Sequence, residues 1–165
     1  MNPDKSNLGE QLYNLIKDDG PPWGVGTTAI IAGLGVRLLH LVVKNSGDQG
    51  FSDEIKTLFY LCDEDDYLFD NYLHHKQVKL NKVQIKMQNM ILLILEKALK
   101  ENYEIKDDFK VDFNMGIQYL LAAAKQTMNI MCANELEGIS KQQFAEWQQK
   151  LLHIQEKANK FNNCD

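Results

Sequence analysis

The distribution of proline constrains the fold of this chain most strongly. All three prolines lie at or before Pro22, so the remainder of the chain contains none. Proline breaks helices because it lacks a backbone N–H and its ring clashes with the preceding turn. The proline-free part is rich in Leu, Lys, Glu and Gln, which lose little side-chain freedom in a helix. No segment alternates strictly between apolar and polar residues, so we predict an all-α fold.

The spacing of apolar residues predicts an up-and-down bundle of five or six helices, forming one domain over residues 1–165. We expect Thr27 or Thr28 to cap the second helix, Ser140 and Gln143 to form a capping box at the last, and residues 102–114 to form a loop. The predicted helices are Leu8–Lys17, Thr27–Lys44, Ser52–His75, Val78–Glu101, Met115–Ala133 and Ser140–Lys160.

Charge and composition exclude several classes of function. The net charge is −5 and the sequence pI is near 5.4, which argues against a nucleic-acid-binding protein because such proteins need clustered cations. The lysines at 76, 79, 82 and 86 have the spacing of a solvated helix face.

The sequence also predicts a cytoplasmic protein without a membrane anchor. No basic flank and apolar stretch mark a signal peptide at the N-terminus. The longest apolar run, Ala29–Val43, contains Arg37 and His40, and we expect it to be too short to span a bilayer. The three cysteines (Cys62, Cys132, Cys164) are isolated and lack metal-ligand spacing, as in reduced cytosolic proteins.

The segment "DDGPPWGVGTTAIIAGLGVRLLHLVV", residues 18–43, is the first candidate for function. Gly24 and Gly26 precede a helix, where glycine lets backbone N–H groups approach a ligand but serves equally well in a turn. The helix that follows is apolar almost all round, so we expect it at the centre of the bundle. Arg37, His40 and Lys44 share one stripe of it, which either reaches the surface or faces an anion in a cavity or interface.

The acidic segment "LCDEDDYLFDNYLHH" is the second candidate. Carboxylates crowded on a helix raise one another's pKa and can then act as a general acid or base, although most such runs are solvated faces. In a helix, Asp63 lies on one side with Asp66 and Asp70, and Asp65 lies with Phe69. The adjacent histidines that end the segment point apart, so we predict no metal site.

The third candidate, "KVDFNMGIQYLLAAAKQTMNIMCANEL", begins near Asp112 and ends near Asn134 around a small-residue helix. The order of the three segments resembles the formiminotransferase-cyclodeaminase C-terminal family, which includes methenyltetrahydrofolate cyclohydrolases. The resemblance covers about Leu8 to Ile139. The matching positions are Pro22, Gly24 and Gly35 in the glycine loop and helix, Asp63, Asp65 and Phe69 in the acidic helix, and Asp112 and Asn134 in the last motif.

The resemblance implies an all-helical homodimer whose substrate is a tetrahydrofolate derivative, with no covalently bound cofactor. It implies either removal of ammonia from formiminotetrahydrofolate with ring closure, or addition of water to the methenyl form. On this resemblance Asp63 and Asp65 are the catalytic carboxylates. The implied substrate-binding residues are Gly24, Gly26, Thr27, Asp112 and Asn134.

The glycine loop departs from the family pattern. Three consecutive glycines and a serine are replaced by Trp23, Gly24, Val25 and Gly26, with Thr27 next, and Ile130 stands where the family has an asparagine unless Asn129 takes that place. A second hypothesis is therefore a catalytically degenerate helical dimer that binds a ligand or a partner protein without turnover.

Overall fold

The computed structural model describes residues 24–75, 81–100 and 103–162, and all regular structure within these ranges is α-helical. This confirms the predicted all-α fold. The predicted helix Leu8–Lys17 lies outside the described residues. The described ranges contain five helices: α1 (Gly24–Asn45), α2 (Ser52–His75), α3 (Asn81–Lys100), α4 (Asp107–Ala133) and α5 (Lys141–Asn162).

Helices that follow one another in the chain run antiparallel, as contacts between α1 and α2 illustrate. The Cys62 thiol on α2 lies 3.9 Å from the Gly26 carbonyl near the start of α1. Gly33 follows Gly26 along α1, and a methyl group on Gly33 would lie 3.2 Å from the ring of Phe59. Phe59 precedes Cys62 along α2. The direction of α2 is therefore opposite to that of α1, and the bundle is of the predicted up-and-down type.

The core contains α1 at its centre, in contact with α2, α3 and α4. Its apolar positions at Ala29, Ala32, Val36 and Leu39 have no exposed surface. The glycines at 35 and 116 allow α1 and α4 to approach closely, because a methyl group on either one would lie 2.9 Å from the carbonyl oxygen of the other. The prediction of a central small-residue helix is thus correct.

The apolar part of α1 is longer than the sequence argument assumed. Residues Gly26–Asn45 form a stretch long and apolar enough to cross a membrane by length and composition, with a mean hydropathy of 1.7. Within the bundle, 61% of the apolar window is buried against the protein itself. The core helix of a bundle meets the same length and hydropathy criteria.

Two predicted helix starts are wrong. The helix α1 begins at Gly24, ahead of Thr27 and Thr28, and the Thr28 hydroxyl donates to the Gly24 carbonyl within the helix at 2.7 Å instead of capping it. The helix α4 begins at Asp107, within the segment predicted as a loop up to residue 114. The carboxylates of Asp107 and Asp108 stabilise the first turn through the helix dipole. Because this segment is polar, the sequence pattern predicts a loop there.

The predicted start of α5 is confirmed. The Ser140 hydroxyl oxygen accepts a hydrogen bond from the Gln143 backbone N–H at 3.1 Å, as a capping box requires. The predicted start of α2 at Ser52 is also confirmed.

Candidate substrate site

The glycine motif and the acidic motif meet at the start of α1. Gly26 is buried, and its carbonyl oxygen lies 3.9 Å from Cys62 Sγ, the neighbour of Asp63. Gly24 lies at the start of the described part of α1, at the end of the helix where the dipole is positive. The two motifs are 36 residues apart in the chain, and antiparallel packing of α1 on α2 brings them together.

The last motif reaches the same end of the bundle through the C-terminal part of α4. A methyl group on Gly24 would lie 3.6 Å from Cδ1 of Ile130, so the two residues are in ordinary van der Waals reach. Ile130 is half-buried. Asn134 follows one turn later, at the C-cap of α4.

Asn134 is held by a clamp between α3 and the end of α4. Its Nδ2 donates to Oδ1 of the fully buried Asn81 at 3.1 Å. Asn81 Nδ2 in turn donates to the Glu137 carbonyl at 3.0 Å. Both side-chain amides thus form hydrogen bonds within the protein. Asn134 thereby fixes the backbone of the corner that follows α4.

The corner itself has an unusual backbone. Glu135 and Leu136 have positive φ angles of 56° and 55°. Their N–H groups donate to the Cys132 and Met131 carbonyls at 3.0 and 2.9 Å, the two bonds of a Schellman motif. Left-handed backbone is costly for residues other than glycine and persists only where neighbouring contacts hold it, as the amide clamp does here.

The acidic residues of α2 differ in their surroundings. Asp63 is exposed and can be reached from solvent, whereas the Asp65 side chain lies outside the described part of the structure. Glu64, which the sequence analysis did not single out, contacts α3 through 2.7 Å bonds from Lys86 Nζ to both of its carboxylate oxygens. Lys82 lies 3.6 Å away. The hydrogen bond from Lys86 lowers the pKa of Glu64 despite the opposing effect of burial.

The sequence indicated the lysine side of this ion pair. Lys82 and Lys86 are one turn apart on α3, and both are largely exposed, as a solvated stripe predicts. Their shared partner on the antiparallel helix could be found only by knowing which faces of α2 and α3 meet.

Asp112 lies elsewhere. It is separated from Asn134 by most of α4, which at 1.5 Å per residue places the two about 33 Å apart. It lies one turn from Gly116, which packs on Gly35 and Leu39 of α1. Within a single chain, Asp112 is therefore remote from Gly24, Gly26 and Asp63.

The stripe of basic residues on α1 is divided by burial. Arg37 and Lys44 are exposed, as expected if the stripe reaches the surface, but His40 is buried. No group of three or more His, Cys, Asp or Glu side chains within the described residues could hold a metal ion.

A groove of about 490 Å³ lies between α4 and α5. It contains none of the predicted site residues, although it includes Asn129. The remaining lining residues are Lys125, Met128, Cys132, Phe144, Gln148, Leu151, Leu152 and Gln155.

Comparison with known proteins gives no further assignment. No protein-family model matches this chain, and no curated protein sequence matches it significantly.

Proposed function

We propose that this protein acts on a tetrahydrofolate derivative, as a formimidoyltetrahydrofolate cyclodeaminase or a methenyltetrahydrofolate cyclohydrolase of the cytoplasm. The observation that carries the proposal is the meeting of the glycine motif and the acidic motif at the start of α1, where Cys62 contacts Gly26. Backbone N–H groups near the start of α1 are the proposed donors for the polar edge of a pterin there.

The chemistry needs one group that gives a proton and one that accepts one. In the deamination, a folate N–H adds to the formimino carbon and loses its proton, the C–N bond to the amino group breaks, and ammonia leaves after protonation. In the hydrolysis, water adds to the methenyl carbon and gives up one proton; one ring C–N bond of the resulting intermediate then breaks, and its nitrogen takes up the hydroxyl proton as the formyl group forms. A carboxylate can perform either transfer, and Asp63 or Asp65 is the proposed group.

Turnover by carboxamide variants tests this proposal. We expect Asp65→Asn or Asp63→Asn to lower kcat for formimino- or methenyltetrahydrofolate by roughly 10²- to 10⁴-fold, because asparagine cannot transfer the proton. Asp53→Asn is the matched control on the same helix, since Asp53 is exposed near the start of α2. Full turnover in both site variants would contradict the assignment of these carboxylates.

The alternative is a helical dimer that binds a ligand or a partner protein without turnover. The distance between Asp112 and the start of α1 favours it, because one chain does not bring all implied site residues together. Absence of turnover in the unaltered protein, with binding retained, would support this alternative.

A homodimer is part of both proposals, and one face of the bundle has the composition for it. Large apolar side chains are exposed along α1 and α4: Leu34 (50%), Leu41 (40%), Val111 (67%), Met115 (41%) and Tyr119 (37%). We call this set the α1/α4 face. The two helices adjoin there, since a methyl group on Gly35 would lie 3.0 Å from Tyr119 Cβ. Exposed apolar patches of this kind mark interaction sites.

Charge on the α1/α4 face favours a second copy of the chain as its partner. From Gly24 to Val43, Arg37 is the one Lys, Arg, Asp or Glu residue of α1, and residues 113–124 of α4 contain none. The chain carries a net charge of −5, so self-association requires a face without accumulated negative charge. We propose that Asp108 and Asp112 at the start of α4 supply the opposite charge for Arg37 of a second copy, in a self-complementary contact.

A further inference from the structure

His40 joins α1 to the start of α2. Its Nδ1 accepts a hydrogen bond from the Phe51 backbone N–H at 2.9 Å, and the two residues have 5% and 0% of their surface exposed. A backbone N–H can only donate, so Nδ1 carries no proton here. The ring is therefore neutral, with its proton on Nε2.

The turn between the helices is built around this ring. Gly50 has a φ of +71°, and a methyl group on it would lie 2.7 Å from His40 Nδ1. Phe51 also accepts the first bond of α2, from the Ile55 N–H at 3.1 Å. The residue that His40 holds is thus the residue from which α2 begins.

Charged groups surround His40 from three directions. Arg37 and Lys44 lie one turn before and after it on α1, and Glu54 faces it from α2. Lys97 of α3 lies 4.9 Å from the centre of the Phe51 ring and 3.9 Å from Glu54. Burial is the largest cause and the two α1 cations are the next, and together they lower the pKa of His40 below its ordinary value of 6.5 although Glu54 acts in the opposite sense.

We propose that His40 is an acid-sensitive latch: a proton on Nδ1 removes the acceptor for the Phe51 N–H and releases the 46–51 turn from α1. A buried N–H without an acceptor is costly, and the protonated ring would also present a donor to a donor. Release frees the first turn of α2, because Phe51 opens that helix.

A cavity lies beside the turn. This cavity measures about 160 Å³ and is lined by Val43, Asp48, Gln49, Gly50, Lys97 and Tyr103. Three of its six lining residues (Asp48, Gln49 and Gly50) belong to the turn, so release of the turn changes the wall of this cavity.

The direction of the effect follows from proton binding. Release removes the burial that is the largest cause of the lowered His40 pKa, so the released state has the higher pKa of the two states and the latch is fully stable above pH 6.5. Its stability is lost as the pH falls from 6.5 towards the latched-state pKa. Each pH unit in that interval raises the opening equilibrium by up to about tenfold.

Amide hydrogen exchange measured by NMR on the full chain tests the latch. We expect the protection factor of the Phe51 amide, corrected for intrinsic exchange, to fall with pH below 6.5 by up to about tenfold per unit. The Ile117 amide in the middle of α4 should keep its protection over the same range. Unchanged Phe51 protection while the His40 ring protonates would overturn the proposal.

Two variants separate the latch from general acid effects. His40→Gln keeps an acceptor oxygen that does not titrate in this range, so Phe51 protection should no longer depend on pH. His153→Gln is the matched control, because His153 is exposed on α5 and its removal should leave the Phe51 profile unchanged. The same pH dependence in His40→Gln as in the unaltered chain would also overturn the proposal, and the chemical shifts of the variant report whether it is folded.

Discussion

Gln88 shows at the scale of a residue how the core departs from simple apolar packing. Its side chain is completely buried on α3, and neither its Nε2 nor its Oε1 has a hydrogen-bond partner among the described residues. An unsatisfied buried amide costs about 1–3 kcal/mol. Replacing Gln88 by an apolar residue of similar size therefore tests whether its buried amide destabilises the fold.

We expect Gln88→Met to raise the free energy of unfolding by about 1–3 kcal/mol, because methionine has a similar shape without the desolvation cost. Urea denaturation measures the change. Gln149→Met on the exposed side of α5 is the control, with an expected change within about 0.5 kcal/mol. Lower stability of Gln88→Met would contradict this account of the buried amide.

Some residue roles could be predicted from sequence and others could not. The Ser140 and Gln143 cap depends on residues three apart in the chain, so local pattern was sufficient. The roles of Glu64 and Gln88 depend on which faces of the helices pack together. The residues that surround them in the sequence do not indicate this. The Asp63 and Asp65 roles stay predictions.

Close approach of α1 and α4 at Gly35 and Gly116 is the main packing constraint at the scale of helices. We expect Gly35→Ala to destabilise the protein by about 1–3 kcal/mol, because the new methyl group would lie 2.9 Å from a backbone carbonyl that cannot rotate away. Thermal or urea denaturation measures this cost.

Gly33→Ala is the matched control within the same helix. It gains the same helix propensity, and its methyl group would meet only the Phe59 ring at 3.2 Å, which is 49% exposed and can move. We expect a change near zero or a small gain in stability. Equal losses at both positions would show that the α1–α4 contact is not the cause.

The ion pair of Glu64 with Lys86 joins α2 to α3 and should make stability depend on pH. The pKa of Glu64 is lowered in the folded protein, so its contribution is present above the ordinary value of 4.5 and is lost as the pH falls through the folded pKa. Because Lys86 is 45% exposed, solvent limits the contribution to about 0.5–1 kcal/mol.

Glu64→Gln tests this contribution. Urea denaturation at about pH 7 should show a loss of about 0.5–1 kcal/mol, and the difference from the unaltered protein should shrink at about pH 3.5. Glu156→Gln on the exposed side of α5 should change neither value. A difference that persists unchanged at the lower pH would contradict the ion-pair account.

Helix positions were predictable from sequence to different degrees. The start of α2 at Ser52 was predicted correctly, since a turn with glycines precedes it. The start of α4 was missed because Asp107, Asp108 and Lys110 are polar, whereas in the structure Lys110 lies 3.0 Å from Asp107 one turn away and supports the first turn. A segment with local charge pairs of this kind is taken for a loop when only the period of its apolar residues is considered.

The α1/α4 face is the feature of the whole molecule that the sequence could not locate. Exposure of Leu34 and Met115 follows from the way α1 and α4 pack on each other, not from either helix alone. Sedimentation should show a species of twice 19.0 kDa at micromolar concentration if this face forms a homodimer.

Substitution on and off the α1/α4 face tests its role. Leu34→Glu should raise the dimer Kd by tenfold or more, because it buries an unpaired charge. Leu152→Glu, at a residue 63% exposed on α5 and outside the face, should leave the Kd unchanged. A 19.0 kDa species alone in the unaltered protein would contradict the homodimer.

The central claim, that the start of α1 with the acidic helix binds a folate, is tested most directly by calorimetric titration of the purified protein with tetrahydrofolate and its 5-formyl form. We predict binding with a Kd in the micromolar range or tighter, equivalent to about 8 kcal/mol of binding free energy at 1 μM. No heat of binding for either compound at millimolar concentration would contradict the claim.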